Sequence, residues 1–377
     1  MRIKLLNHSR TTGNEDVPIT MSTAHPGGGA ARFSNNFDLL RFAAAAAIIV
    51  THAYVLSVGY PNIQLYDPIL LMGQAALAVF FVISGYLIPV SWESTASLPR
   101  FAWKRFLRIV PALVPAVFIT LFVIGPLMTS FPPAEYYSAL FSLEGIFSAP
   151  FFENGGVIGL FQDNPVAFVN GSLWVIPVEI AMYGVIAVLG LAGLLRRRGA
   201  IIGLAAINIL LWMAWFDDPR ASKIRFTLYF LIGAYFSLHR RQVTYRPLIA
   251  GILLLVLGLS VLTPCPPVAG VICIPYLALY AAHIRIPFLN TFGRAGDISY
   301  GMYIYHYPIL QALIQASGNS LSLPVLCGVS FLLVLPLAFI SWHMIEKRAL
   351  AVKNLDLADL RRIFRLPAIT GPGPARK

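Results

Sequence analysis

Three ionisable side chains occur in the first long apolar segment of the chain and are predicted to share one helical face. They are Asp38, Arg41 and His52, and every other residue between positions 37 and 58 is uncharged. Arg41 and His52 are separated by about three helical turns, or about 16 Å along the axis. Asp38 is one turn from Arg41 and can pair with it. Such a face can bind a substrate and exchange protons, or it is an interfacial anchor with His52 hydrogen-bonded in the core.

Two later apolar segments each contain a further ionisable group, Glu179 in the fourth segment and His306 in the ninth. A buried carboxylate requires a cation or a proton, so we predict Arg41 or His52 as the partner of Glu179. This pair is either structural or catalytic. His306 has several tyrosines near it in the sequence, Tyr300 among them. It is either a packed, hydrogen-bonded core residue or a member of the same polar site.

A basic stretch follows the second apolar segment and is predicted to be a loop that leads into the third membrane helix. It contains Lys104, Arg105 and Arg108. Two guanidinium groups three residues apart can bind phosphate oxygens in a bidentate manner. Basic residues also collect in cytoplasmic loops without any ligand, so composition leaves both explanations open.

The elements that position these groups follow from the composition. Of the 377 residues, 58% are apolar and only 12% are charged, and the mean hydropathy is +0.73. Soluble domains have about 25% charged residues and cannot bury this much apolar surface in one core. Disordered chains are rich in charge and poor in aromatic residues, which excludes that class as well. We therefore predict an all-α polytopic membrane protein.

Apolar segments of about 20 residues, the length of a membrane-spanning helix, recur from position 37 onward. They lack the alternating polarity that barrel strands have. We predict a bundle of ten transmembrane helices at 37–58, 69–90, 109–129, 172–194, 200–216, 225–239, 247–263, 267–284, 297–317 and 322–345.

The distribution of basic residues predicts the orientation of this bundle. If the chain starts in the cytoplasm, the cytoplasmic loops and tails contain 24 of the 28 Lys and Arg residues. The outer loops then contain three, all between positions 220 and 225. We therefore predict that both termini are cytoplasmic. The net charge of +12 needs no nucleic-acid partner under this arrangement.

The predicted membrane domain spans residues 33–348 and is flanked by two tails. Residues 1–32 are polar and expected to be disordered, and residues 349–377 form a basic cytoplasmic tail, part of which could lie as a helix on anionic lipid. The outer connection at 130–171 is rich in aromatic residues, contains four acids and no Lys or Arg, and is expected to fold over the outer mouth of the bundle. Cysteine and histidine spacings match no metal motif, so no metal is expected.

Five motifs, in order, resemble the integral-membrane acyltransferase-3 family, which includes O-antigen, exopolysaccharide and Nod-factor acyltransferases. The resemblance covers about residues 34–347. It is carried by Arg41-x10-His52, Phe-Phe-x-x-Ser-Gly at 80–85, Arg-x-x-Arg at 105–108, Leu-Trp to Glu to Tyr at 173–183, and Ser-Tyr to His-x-Pro at 299–308. The second glutamate of the fourth motif is Ile180 here, which leaves Glu179 as its one carboxylate.

The resemblance implies transfer of an acyl group, often acetyl, from cytoplasmic acyl-CoA to a hydroxyl of a carbohydrate or glycosylated acceptor. It implies a multi-pass protein of the bacterial cytoplasmic (inner) membrane whose partners are the bilayer, acyl-CoA and the acceptor, with a homo-oligomer left open. The catalytic residues would be His52, as base or transient acyl carrier, with Arg41, Glu179 and Asp38. The residues expected to bind the CoA phosphates are Lys104, Arg105 and Arg108. The residues expected to support the site or the acceptor are Tyr300, His306, Ser84 and Trp174.

Two other functions are compatible with these residues. A transporter could use the buried arginine, histidine and glutamate to move protons or a solute, although no inverted repeat is apparent. A scaffold or lipid-binding protein could use the basic tail. Solute flux without consumption of acyl-CoA would favour the transporter, and loss of function on deletion of residues 350–377 would favour the scaffold.

Overall fold

The structure, a computed structural model, covers most of the predicted membrane domain. It describes residues 35–64, 66–95, 97–142, 159–216, 218, 220–263, 265–284, 292–293 and 296–355. The predicted disordered tail at 1–32, the end of the basic tail from 356 onward and the centre of the outer connection, 143–158, lie outside the described residues.

The described residues form helices and contain no β-strand beyond one isolated bridge between Thr129 and Leu160. Two of the helices contain a π-helical turn, at Thr120–Ile124 and at Trp342–Glu346. The helices are α1 (Phe37–Val58), α2 (Pro68–Glu93), α3 (Leu98–Met128), α4 (Pro133–Leu140), α5 (Val175–Leu191), α6 (Arg198–Ala214), α7 (Arg220–Leu238), α8 (Pro247–Ser260), α9 (Pro266–His283), α10 (Ser299–Ala316) and α11 (Leu323–Ala351).

The all-helical class is confirmed, and each of the ten predicted spans overlaps with one of these helices. Among the described helices, α1, α2, α3, α9 and α11 are long and apolar enough to cross a membrane. The helices α5, α6 and α8 are apolar but shorter. The tenfold crossing and the cytoplasmic position of both termini stay predictions.

The basic stretch that we predicted as a loop is helical instead. α3 begins at Leu98, so Lys104, Arg105 and Arg108 lie on its N-terminal part. Pro99 suits the first turn of a helix, where its missing N–H has no intrahelical role, and the Leu, Ala, Lys and Arg residues that follow favour helix. The charged residues lie outside the apolar run but inside the helix. Hydropathy therefore places the start of α3 too late.

α1 lies in the centre of the packing and contacts α2, α9, α10 and α11. It is an alanine-rich helix, and its buried side chains include Ala44, Ala45 and Ala53. Small side chains allow neighbouring helices to approach closely. The central position of α1 means that its polar residues face other helices.

α2 and α7 cross at a point where two glycines replace side-chain contact by backbone contact. A Cβ atom at Gly85 would lie 2.0 Å from the carbonyl oxygen of Phe230, and one at Gly233 would lie 2.4 Å from that of Val82. Neither position can accept a side chain without separating the helices. The glycine of the Phe-Phe-x-x-Ser-Gly motif therefore has a packing role.

The end of the outer connection is tied to α10 by side-chain hydrogen bonds. Gln311 donates to the carbonyl oxygens of Val166 and Phe168, at 2.7 and 2.5 Å. Nδ2 of Asn170 donates to the carbonyl of Ile304 at 3.1 Å. Pro308 has no N–H, so that carbonyl lacks its helical donor four residues later. The described part of the connection thus completes the hydrogen bonding of α10.

Candidate active site

His52 and His306 contact each other inside the bundle. Nδ1 of His52 lies 2.7 Å from Nε2 of His306, and the two rings are stacked with centroids 4.9 Å apart. The contact forms because α1 and α10 pack side by side. His306 is fully buried, whereas His52 is only partly buried. The structure therefore brings together two predicted site residues that are 254 positions apart in the sequence.

The hydrogen bonds of His306 determine which nitrogens of the pair are protonated. Nδ1 of His306 lies 2.7 Å from the carbonyl oxygen of Tyr303 and 3.2 Å from that of Met302. Carbonyl oxygens only accept, so this nitrogen has the proton and Nε2 of the neutral ring is an acceptor. Nδ1 of His52 then donates to His306, which leaves Nε2 of His52 unprotonated. That atom can accept a proton from a bound hydroxyl group.

Arg41 belongs to a network of ion pairs beside the start of α10. Its Nη1 lies 3.1 Å from Oδ1 of Asp38 and 3.3 Å from Oδ2 of Asp297. Nη2 of Arg108 lies 2.6 Å from the same oxygen of Asp297. Asp297, just before α10, therefore joins guanidinium groups from α1 and α3. We call Arg41, Asp38, Asp297 and Arg108 the Asp297 network.

Asp297 accepts hydrogen bonds from three side chains. The guanidinium groups of Arg41 and Arg108 and the hydroxyl of Ser299 donate to its two carboxylate oxygens. A carboxylate between two guanidinium groups is a stable arrangement because each added hydrogen bond satisfies one of its lone pairs. Asp297 thus positions Arg41 and Arg108.

Arg108 has a second carboxylate near it. Oε2 of Glu346, on the π-helical turn of α11, lies 3.9 Å from Nη1 of Arg108. The guanidinium group also lies over the ring of Tyr300, 5.8 Å from its centroid. The Tyr300 hydroxyl donates to the carbonyl of Ile109 at 3.0 Å. Arg108 is therefore charge-compensated and connects α3, α10 and α11, so its predicted phosphate binding would require these contacts to be displaced.

Glu179 has different partners from those we predicted. Its Oε1 accepts hydrogen bonds from the Ser84 hydroxyl, at 3.1 Å, and from the Tyr183 hydroxyl. In the part of the chain that the structure describes, no ion pair joins Glu179 to Arg41 or His52. The expected pairing is wrong because Asp297 reaches Arg41 from the start of α10. Ser84 lies at Glu179, which gives a reason for the serine of its motif.

Lys104 and Arg105 contact neutral groups only, as far as the described residues extend. Nζ of Lys104 donates to the hydroxyl of Thr95 at 2.9 Å, and Nη2 of Arg105 donates to that of Ser91 at 3.3 Å. Arg105 also lies over the ring of Tyr183, 5.5 Å from its centroid. Its buried Nε has no hydrogen-bond acceptor. Both cations are thus uncompensated at the end of the bundle that contains Arg41.

Trp174 is not in contact with the histidine pair. Its ring lies 5.9 Å from Nζ of Lys223 and packs against Phe226, so its described contacts are with α7. Two acids that contribute to the site were not among the predicted residues, Asp297 and Glu346. Asp297 directly precedes an apolar helix and Glu346 is one of few acids near the last span, which are weak signals. Among the described residues, no cluster of three or more His, Cys, Asp or Glu side chains could bind a metal ion.

Comparison with known proteins gives matches over most of the chain. The family model described as "Acyltransferase domain" matches residues 34–343. The O-acetyl transferase of Shigella phage Sf6 is 30% identical over 335 residues, which are 86% of this chain and 98% of that protein. Nodulation protein 10 of Rhizobium leguminosarum bv. viciae is 28% identical over 355 residues, 85% of this chain and 94% of that protein. No solved structure matches.

Proposed function

This chain belongs to the acyltransferase family, and from that membership we propose that it moves an acetyl group from acetyl-CoA to a hydroxyl group of a carbohydrate. The matched region contains the helices that form the histidine pair and the Asp297 network. One of its relatives is named an O-acetyl transferase, which favours acetyl as the acyl group. The proposed acceptor is a glycan or glycosylated molecule at the outer side of the bacterial cytoplasmic membrane.

The observation that carries the mechanism is the contact between Nδ1 of His52 and Nε2 of His306, from which we infer that Nε2 of His52 is unprotonated. In the proposed reaction, this nitrogen takes the proton of the acceptor hydroxyl while the oxygen attacks the thioester carbonyl. The tetrahedral intermediate collapses, the carbon–sulfur bond breaks and CoA leaves as the thiol after it receives the proton from His52. His306 keeps the tautomer of His52 that this step requires, because its own Nδ1 proton is held by backbone carbonyls.

We propose that Arg41 binds the acyl donor and does not contact His52 directly. About 16 Å separate the two residues along α1. The guanidinium group is held by Asp38 and Asp297, so it is oriented before any substrate arrives. A pantetheine arm is long enough to extend from the Arg41 end of the bundle towards His52. In this arrangement Arg41 binds a polar group of that arm.

We assign Lys104 and Arg105 to the phosphates of CoA. Both cations lie at the Arg41 end, which is the cytoplasmic end in the proposed orientation. The unused Nε–H of Arg105 is a donor for a phosphate oxygen. Arg108 acts as a structural residue in this proposal because Asp297 and Glu346 already surround it. Glu179 accepts hydrogen bonds from Ser84 and Tyr183. It thereby positions the ring of Tyr183, which Arg105 contacts.

Release of CoA thiol from acetyl-CoA tests the proposal, with purified protein in proteoliposomes that contain an acceptor glycan. We expect thiol release together with an acetylated glycan, detected by mass spectrometry. Arg105→Ala should raise the Kd for acetyl-CoA about tenfold, the value of one charged hydrogen bond. Arg246→Ala, which removes an exposed cation elsewhere, is the matched control. Solute flux without thiol release would reject the proposal in favour of a transporter.

A further inference from the structure

Arg225 is a buried cation that the proposed reaction does not use. It lies near the start of α7, and only 8% of its surface is exposed. Nη2 of Arg225 donates to Oε1 of Gln74 at 2.9 Å, and its guanidinium carbon lies 5.5 Å from the ring centre of Phe226. Within the described residues Arg225 has no ion pair with a carboxylate. A buried charge without a counter-ion is costly, so a partner is expected.

The guanidinium group of Arg225 faces a cavity of about 320 Å³ between α2, α7, α8 and α9. Its wall is mostly apolar and includes Leu71, Leu254 and Ile274. The pocket opens beside the outer surface of α8, which is almost entirely apolar and exposed. A hydrocarbon chain that leaves the cavity along α8 would therefore continue onto a lipid-facing surface.

The polar groups of the cavity are mostly hydrogen-bond donors. The hydroxyl of Tyr229 lines it, and this side chain is 97% buried yet makes no hydrogen bond within the described residues. The amide oxygen of Gln74 accepts from Arg225, and its amide nitrogen likewise makes no hydrogen bond within the described residues. Ser260 donates to the carbonyl of Leu257 and needs no further acceptor. Two neutral donors and one cation without an acid form a site for an anionic oxygen group.

The position of the cavity indicates what supplies this anion. Arg225 and Gln74 are each within about two turns of the first residue of their helices, α7 and α2, at the end of the bundle opposite Arg41. In the proposed orientation this is the depth just below the outer headgroup layer. A long arginine side chain can bind a phosphate at that depth.

We propose that this cavity, the Arg225 cavity, binds the phosphate group of an anionic phospholipid from the outer leaflet. The phosphate accepts hydrogen bonds from Arg225, Gln74 and Tyr229, and an acyl chain follows the apolar wall between α2 and α8. The lipid thereby supplies the counter-charge that the described protein residues lack. This site is separate from the histidine pair and does not depend on the acyl-transfer proposal.

Native mass spectrometry of the full-length, delipidated protein tests the site, with phosphatidylglycerol and phosphatidylcholine as separate probes. We expect a retained phosphatidylglycerol adduct and a weaker phosphatidylcholine adduct. Arg225→Gln should reduce the phosphatidylglycerol adduct about tenfold, since a charged hydrogen bond is lost. Tyr229→Phe should reduce it less. Lys223→Gln removes the same charge two residues away, from an exposed side chain, and should leave the adduct unchanged.

The same measurement can overturn the proposal in three ways. Equal retention of both lipids, or equal losses for Arg225→Gln and Lys223→Gln, would show that the cavity does not select an anionic headgroup. An inorganic phosphate adduct that Arg225→Gln removes, without any lipid adduct, would assign the site to a free anion. Because Gln fills the space of the arginine stem without a buried charge, Arg225→Gln is expected to fold, and its melting temperature serves as the check.

Discussion

Nδ1 of His52 and Nε2 of His306 lie 2.7 Å apart, and the carbonyl oxygens of Met302 and Tyr303 fix the direction of the hydrogen bond between them. The two rings therefore act as one unit. A change at His306 alters which nitrogen of His52 is free, although His306 itself is completely buried. This dependence gives predictions that distinguish a positioning histidine from a core histidine.

The first prediction concerns the base itself. His52→Ala should lower the rate of acetyl transfer about 10²–10⁴-fold, the usual contribution of general base catalysis. Release of CoA thiol and mass spectrometry of the acceptor measure the rate. His343→Ala removes a histidine of α11 whose ring contacts Phe339 of its own helix, and it should retain activity. Undiminished transfer by a folded His52→Ala protein would contradict the assignment.

The second prediction concerns the coupling of the two histidines. His306→Ala should reduce kcat about tenfold or more with little change in the KM for acetyl-CoA, because His52 loses its tautomer and not its substrate. The double variant should be no slower than His52→Ala alone, since residues that act as a unit are not additive. If the two losses multiply, His306 acts independently of His52. A purely structural His306 would lower the melting temperature without this kinetic pattern.

The third prediction concerns the Asp297 network. Asp297→Asn leaves two partly buried guanidinium groups without their shared carboxylate, which should reduce stability by about 1–3 kcal/mol. Asp38→Asn removes the more exposed carboxylate, with 38% of its side chain accessible against 10% for Asp297, and should cost about 1 kcal/mol or less. Thermal unfolding in detergent compares the two. Equal losses would contradict the central position of Asp297.

The fourth prediction concerns Asn170 and Pro308. Asn170→Ala should cost about 1–3 kcal/mol because the carbonyl of Ile304 loses its donor. Pro308→Ala restores a backbone N–H to α10, so the same Asn170→Ala change should cost less in that background. A double-mutant cycle of melting temperatures measures this coupling. Additive effects would show that the asparagine does not act through that carbonyl.

Hydropathy and periodicity predicted ten helical segments, but not the start of α3, the short helix α4 or the long-range pairing of helices. The predicted segments overlap with helices because apolar runs of this length satisfy their backbone only as helices. The pairing of His52 with His306 was not predictable, since it depends on which helices are neighbours. The spacing of Arg41 and His52 on one helix is local information, and α1 contains both residues as expected.

The partner of Glu179 shows why buried acids are difficult to assign from sequence. Besides Asp38, both Glu179 and Asp297 could have paired with Arg41. The sequence does not show that the start of α10 lies beside the start of α1. Glu179 instead accepts hydrogen bonds from two hydroxyl groups. Ser84 donates from α2, and Tyr183 donates from the next turn of α5 itself. The loop prediction for the basic part of α3 was wrong for a different reason. Hydropathy shows where an apolar run begins, but it does not show where the helix begins.

The glycine contact between α2 and α7 limits how the bundle can move during a reaction cycle. With the backbone at Gly85 against Phe230 and at Gly233 against Val82, neither helix can slide along the other without a steric clash. The pair is therefore a rigid frame, and opening for substrate exchange has to come from elements packed around it. Because α2 contains both Ser84, beside Glu179, and Gln74, beside Arg225, this frame holds residues of both polar sites.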